Sequence, residues 1–169
     1  MHDIRPFLPQ LFTQPGTLLY IGARADAHSW LDELYEAGNR ITVLEVWPDN
    51  VLGLIGYPAI HDLVTGSVKY IDTIFMGSFD YIFWWHGPEH LAESEIVPTL
   101  AKLESKCNWL IALACPYGIY PQGSHKGNPY EEHKTTLYPD FFTDLGYEVK
   151  TDGEPDMAGG EIVAWKVIG

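Results

Sequence analysis

Residues Thr17 to Trp47 alternate in a way few folds can accommodate: apolar run, glycine turn, helical pattern, apolar run, acid. Leu18-Leu19-Tyr20-Ile21 reads as a short buried strand, broken by Gly22-Ala23-Arg24. Ser29 to Ala37 has helical apolar spacing and stops at Gly38-Asn39, a glycine-led helix end. Ile41-Thr42-Val43-Leu44 is a second strand, and Glu45 stands at its end, 23 positions after Gly22. Two parallel strands joined through a helix form a βαβ unit. An acid at this distance from the turn suits a nucleotide, because backbone approaches the ligand at the turn and the carboxylate accepts from ribose hydroxyls.

The rest of the chain repeats the alternation. Asn50 is placed to cap a short helix through Leu54 and Ile55, ended by Tyr57-Pro58. A third strand is expected near Ile60 to Val64, then a short helix around Tyr70 to Phe75. Phe79 to Trp85 is unbrokenly apolar apart from Asp80, as in a central parallel strand buried on both faces. Leu91 to Ser105 has helical spacing and Asn108 to Ala114 is a fifth buried strand. Pro139 to Leu145 reads as a helix with proline in its first turn, and 147–150 and 162–167 as two final strands. Residues 1–16 read as an irregular arm with one helical turn near Phe7 to Phe12, and 17–169 as one α/β domain. This order predicts a doubly wound sheet whose ligand lies beyond the carboxyl ends of its strands.

Composition excludes several classes. The chain has 169 residues and a formal net charge of −13, with only 10 Lys and Arg. A nucleic-acid phosphate track is not expected. No run approaches the ~20 apolar residues of a membrane span. Cys107 and Cys115 fit neither a disulfide framework nor a zinc spacing, and Cys115 reads as structural. A cytoplasmic location is the simplest expectation. The aromatic residues of the arm leave a homodimer open.

Chemistry concentrates in two places. Trp84-Trp85-His86-Gly87-Pro88-Glu89-His90-Leu91 leaves the fourth strand at the expected ligand edge. His86, Glu89 and His90 have i, i+3, i+4 spacing, so one helical turn puts them on one face, to bind a divalent metal or to offer a general base. Against this, Gly87-Pro88 interrupts a helix at its start, and Glu89 could simply favour the helix N-terminus. No metal is assigned. The second place is 115–138, which has no apolar periodicity. It carries Tyr117, Tyr120, Gln122, His125, Asn128, Tyr130, Glu131, Glu132 and His133. A structureless stretch of this length is usually functional or disordered, and its aromatic content argues for an ordered lid over a polar small molecule. Arg24 reaches either an acidic ligand or solvent, Trp47 covers a base or joins the core, and Asp26 or Ser29 caps the first helix. An adenine contact falls to Ser67 or Asp62.

These residues together resemble class I S-adenosylmethionine-dependent methyltransferases. The resemblance rests on the strand-turn-helix at Gly22, on Glu45, and on Phe79-Asp80-Tyr81-Ile82 leading into Glu89-His90-Leu91. The segment Pro121-Gln122-Gly123, Gly127-Asn128-Pro129-Tyr130-Glu131-Glu132-His133, Asp140-Phe141 and Leu145-Gly146-Tyr147 is similar to a bacterial subgroup of small methyltransferases. The resemblance implies a Rossmann-like seven-stranded sheet of order 3-2-1-4-5-7-6 with the last strand antiparallel. It implies S-adenosylmethionine as cofactor and a polar small molecule as methyl acceptor through a hydroxyl or amine. Gly22, Ala23 and Arg24 would line the methionine side, Glu45 with Val46 and Trp47 the ribose side, Ser67 and Val68 the adenine, and Trp85 and His86 the sulfonium. His86, Glu89, His90 and His133 are the candidate catalytic residues, with His86 or His133 removing the acceptor proton. In ubiquinone-type relatives a metal accompanies an acid-rich Glu-His turn, whose first acid is replaced here by His86. The glycine motif departs from the family, with Arg24 and Asp26 at glycine positions and Tyr20 where an acid is usual. The alternative is therefore an inactive methyltransferase-like domain that binds a nucleoside ligand or a partner protein.

Overall fold

The computed structural model describes residues 3–24 and 30–169. Its centre is a seven-stranded sheet: β1 (Thr17–Ile21), β2 (Arg40–Glu45), β3 (Asp62–Thr65), β4 (Phe79–Trp85), β5 (Cys107–Pro116), β6 (Glu148–Asp152) and β7 (Glu161–Val167). The strand order is β3-β2-β1-β4-β5-β7-β6. β1 to β5 pair in parallel, while β7 runs antiparallel to both β5 and β6. This is the Rossmann-like sheet expected from the alternation and the resemblance.

The two-residue period of the strands sorts their side chains onto two buried faces. Leu18, Tyr20, Tyr81, Phe83, Trp85, Leu110 and Ala112 join one core. Leu19, Ile21, Ile82, Trp84, Ile111, Leu113 and Cys115 join the other. α1 (Gln10–Thr13), α2 (Leu31–Glu36) and α3 (Pro48–Leu54) cover the first face, α4 (Ile71–Ile74) and α5 (Glu93–Ser105) the second. Both faces being covered explains why β1, β4 and β5 are apolar almost throughout.

Three expectations need correction. The stretch read as an irregular arm packs on the domain through its described residues, 3–16: Ile4, Leu8 and Leu11 are fully buried, and Phe7 and Phe12 pack against the same core. The ring of Phe7 lies 5.2 Å from Trp165, and the Tyr81 hydroxyl donates to the Gln14 carbonyl at 2.8 Å. Phe7 and Phe12, the aromatic residues of this stretch, are partly buried against that core. Next, α3 starts at Pro48, whose fixed φ suits a first helical position, so Asn50 lies inside the helix and does not cap it. Finally, the helix expected over 91–105 is present as α5, but it starts at Glu93, and a separate 3₁₀ turn (Pro88–His90) precedes it. Glu89 is therefore no cap; Glu95 accepts from the Ala92 N–H at the start of α5, at 3.2 Å. Asp26 and Ser29, the candidate caps of α2, lie outside the described residues.

Two polar anchors hold the amino ends of the strands. Asp80 accepts from the Thr17 N–H and hydroxyl and from the Asn108 side chain, tying β1, β4 and β5. Asn39 is buried; it accepts from Gly16 N–H at 3.1 Å and donates to the Leu11 and Leu34 carbonyls at 2.8 and 2.9 Å. One amide thus joins the N-terminal segment, α2 and the start of β1. Replacement Asn39→Ala leaves these groups unpaired in a dry site and is expected to cost about 2–4 kcal/mol. Urea denaturation that shows a loss below about 1 kcal/mol would remove Asn39 from this role.

Candidate functional site

The loops after β1, β2, β3 and β4 open at one sheet edge, because parallel strands carry all their carboxyl ends there. They border a cavity of about 510 Å³, roofed by residues from 116–134 and closed on one side by Gly160 and Glu161. β1 and β4 are neighbours, but the connection after β1 runs to α2 on one face and the connection after β4 to α5 on the other, and the gap between them is where ligands of such sheets lodge.

Gly22 has φ +79, and a Cβ built there would meet nothing within 4 Å. Its backbone faces open space, as a ligand-binding turn requires. Ala23 differs from expectation: its side chain is buried in the core beneath. Arg24 lines the cavity and pairs with Glu131 of the lid at 3.5 Å. The turn is thereby latched to the roof.

Glu45 is buried at 3 % exposure and lines the cavity. Burial pushes its pKa up to about 7, and nearby Glu131 adds to the rise, against hydrogen bonds from the Trp47 and Val46 N–H groups and the Asn50 side chain. The Trp47 N–H donates to Oε1 at 2.7 Å, which aims the carboxylate. Val46 lines the cavity, but Trp47 does not; its ring lies 6.2 Å from Tyr130 and supports the lid. Ser67 and Val68 follow β3 and line the cavity, and the Ser67 hydroxyl accepts from the Lys69 N–H. Asp62 stands at the amino end of β3, against His61 and Arg40 at the opposite sheet edge, and is excluded from the site.

Beyond β4, His86 has φ +50, an uncommon conformation for a residue with a Cβ. The turn brings its Nε2 to 3.0 Å from Glu161 Oε1 and its Nδ1 to 3.4 Å from Glu89 Oε1. Desolvation disfavours the charged ring, but the bonds and charges of the two glutamates outweigh it and push its pKa up to about 10. His86 is thus an ion-paired cation near neutral pH, not the free base expected. The i, i+3 pairing with Glu89 forms, although through a 3₁₀ turn and not the helical turn read from the spacing. Gly87 is required here, because a Cβ would collide with the Trp84 indole. Trp85 lies along the cavity floor, its ring stacked on Phe83 at 5.1 Å.

The lid residues carry one short 3₁₀ turn (Pro129–Glu131). The N–H groups of Lys134 and Thr135 donate to the Glu89 carbonyl at 2.8 and 3.2 Å. The Thr135 hydroxyl donates to the Leu91 carbonyl at 2.6 Å. These bonds lay 132–135 along the Pro88–His90 turn and bring His133 beside His90, with ring centroids 5.0 Å apart. Tyr120, Gln122, Asn128, Tyr130, Glu131 and His133 border the cavity. Of the other lid residues named from sequence, Tyr117 packs against Tyr138, His125 pairs with Asn128 in an isolated bridge, and Glu132 offers its carbonyl to His90. Glu161 was missed, because a strand's first residue carries no local mark of the loop it faces. Cys115 is fully buried and its thiol is pushed well up by desolvation, in keeping with a structural role.

No family model and no curated protein matches the chain. Solved structures do resemble it. A SAM-dependent methyltransferase from Archaeoglobus fulgidus aligns at TM-score 0.66 and 16 % identity, over 96 % of this chain and 91 % of that one. The DhpI–SAH complex aligns at TM-score 0.66 and 16 % identity, over 94 % and 80 %. Magnesium protoporphyrin IX methyltransferase (ChlM) from Synechocystis PCC 6803 with bound SAM aligns at 0.59 and 13 %, over 90 % and 69 %. The chain has the fold of these methyltransferases.

Glu45 also sets a pH dependence. Its folded pKa lies above the ordinary 4.5, so the contribution of this group to stability is present below pH 4.5 and lost as pH rises through about 7. The loss is about 3 kcal/mol. Glu45→Gln is therefore expected to stabilise the protein at pH 8 by on the order of 2–3 kcal/mol and not at pH 4.5. Urea midpoints at the two pH values check this; an equal effect at both would show that Glu45 is not the titrating group.

Proposed function

We propose that the cavity binds S-adenosylmethionine and that the protein transfers its methyl group to a hydroxyl or amine of a polar small molecule. The observation that carries this reading is the row Gly22, Glu45 and Ser67 on three successive strand ends, all facing one cavity. The fit is chemical as well as topological. Gly22 leaves the space that a side chain would fill. Glu45 holds a buried carboxylate whose free acceptor positions suit the vicinal hydroxyls of a ribose. Likeness in fold to proteins solved with SAM or SAH supports the same ligand.

When bound, S-adenosylmethionine supplies an electrophilic methyl whose carbon–sulfur bond breaks as the acceptor bonds to it, the electron pair returning to sulfur. The protein contributes chiefly position and exclusion of water. Gly22 and Glu45 orient one side, and Tyr120, Gln122 and Asn128 present polar and aromatic surface to the acceptor from the lid. His86 remains paired with Glu161 and Glu89 and steadies the turn after β4. Removal of the acceptor proton falls to the acceptor-side group of Glu89, His90 and His133. The net charge of −13 keeps phosphate polymers away and favours a small acceptor.

Calorimetry with S-adenosylmethionine and S-adenosylhomocysteine tests the reading. Micromolar binding is expected, weakened about 10- to 100-fold in Glu45→Ala, as for the loss of a buried carboxylate's hydrogen bonds. Failure of well-folded protein to bind either compound at millimolar concentration would overturn it. A second reading is a domain that binds the nucleoside without turnover, favoured by the diversion of Arg24 to the lid. Binding with no methyl transfer to a broad panel of hydroxylated and amino acceptors would select it.

A further inference from the structure

We propose that Glu89, His90 and His133 form a binding site for a divalent transition-metal ion at the acceptor end of the cavity. The donor set stands on geometry and is independent of the methyl-transfer reading; its role in methyl transfer, below, rests on that reading. One ligand atom from each of the three residues lies within 4.8 Å of the others.

The two imidazoles are oriented as ligands. His90 Nδ1 lies 3.2 Å from the Glu132 carbonyl and His133 Nδ1 lies 2.6 Å from the Tyr120 carbonyl. A carbonyl oxygen only accepts, so each Nδ1 donates, and the neutral ring then carries its lone pair on Nε2. A backbone carbonyl on the far nitrogen is the arrangement that fixes the tautomer and aim of a metal-binding histidine. His90 Nε2 lies 3.9 Å from Glu89 Oε1, too far for a hydrogen bond and on the side where an ion would sit between them.

Glu89 supplies the independent observation. It is 2 % exposed, and neither carboxylate oxygen receives a well-formed hydrogen bond among the described residues. A buried carboxylate in that state is expensive, and His86 at 3.4 Å offsets only part of the cost. An ion bound from the cavity side would supply the missing partner. Two nitrogens and one carboxylate favour zinc, iron(II), cobalt or manganese over magnesium or calcium, which prefer oxygen donors. Bonds of ~2.1 Å place tetrahedral ligands about 3.4 Å apart, so binding draws the three side chains slightly inward. Three protein ligands leave open positions.

Within the methyl-transfer reading, those positions select the acceptor. They take an oxygen of a hydroxylated or carboxylated small molecule. With the ion bound, Glu89, His90 and His133 serve as its ligands in place of the base role given above, and coordination favours loss of the hydroxyl proton to water, leaving the oxygen lone pair to attack the methyl carbon.

The test uses the full chain, stripped with chelator and titrated with cobalt(II) and zinc(II). One equivalent is expected to bind with micromolar affinity and visible cobalt absorption of low-coordinate type. Glu89→Gln and His133→Ala, checked for folding by circular dichroism, are each expected to weaken binding at least 10-fold. His61→Ala, at the opposite sheet edge, is expected to leave it unchanged. Absence of binding, or binding indifferent to Glu89→Gln and His133→Ala, overturns the proposal. S-adenosylhomocysteine calorimetry in chelator separates the two readings. Cofactor binding without metal binding sinks the metal site alone, and metal binding without cofactor binding sinks the methyl-transfer reading alone.

Discussion

The parallel pairing of β1 with both β2 and β4 is the constraint on which the rest depends. Parallel pairing places every carboxyl end at one edge, and the change of direction on either side of β1 opens a gap there. Leu18 and Leu19 face opposite cores, so a slip of one residue would turn each apolar set toward the wrong neighbours. Register is therefore held tightly, and with it the position of Gly22 beside Glu45. The Gly22 N–H donates to the Leu44 carbonyl at 3.0 Å, which carries this register directly into the ligand turn.

Charge is unevenly tolerated around the cavity. Glu45, Glu89 and Glu161 are all buried at one sheet edge. His86 relieves two of them through its paired nitrogens, while Glu45 relies on the Trp47 and Val46 N–H groups and the Asn50 side chain. Such carboxylates weaken the fold, and they stand where a ligand would meet them. The lid closes this edge through bonds from the Lys134 and Thr135 N–H groups to the Glu89 carbonyl and through the side-chain ion pair of Arg24 with Glu131. Its order thus comes from contacts spread along its length and not from secondary structure of its own.

Much of this was legible in the residues. The apolar runs of β1, β4 and β5 and the turn at Gly22 carry local signals, because strands buried on both faces admit little else. Glu45 could be named because an acid ending such a run needs a partner. The N-terminal segment was misread: prolines and glycine marked it as irregular and outweighed the helical spacing of Ile4, Phe7, Leu8, Leu11 and Phe12, the face it buries. The break between Pro88–His90 and α5 was also hidden, since a 3₁₀ turn and a helix start share the same short-range spacing.

The sequence by itself determined the alternation of strands and helices, the edge at which chemistry gathers, and the candidate residues at Gly22, Glu45 and Glu89-His90. Periodicity and turn chemistry are local properties, and local properties can be read along a chain. Only the tertiary structure decided which partners meet. It set His86 between Glu89 and Glu161, spent Trp47 on Tyr130, and laid His133 against His90 across more than 40 residues of chain. Those pairings depend on strand order and on hydrogen bonds between loops, and the spacing of residues carries no record of either.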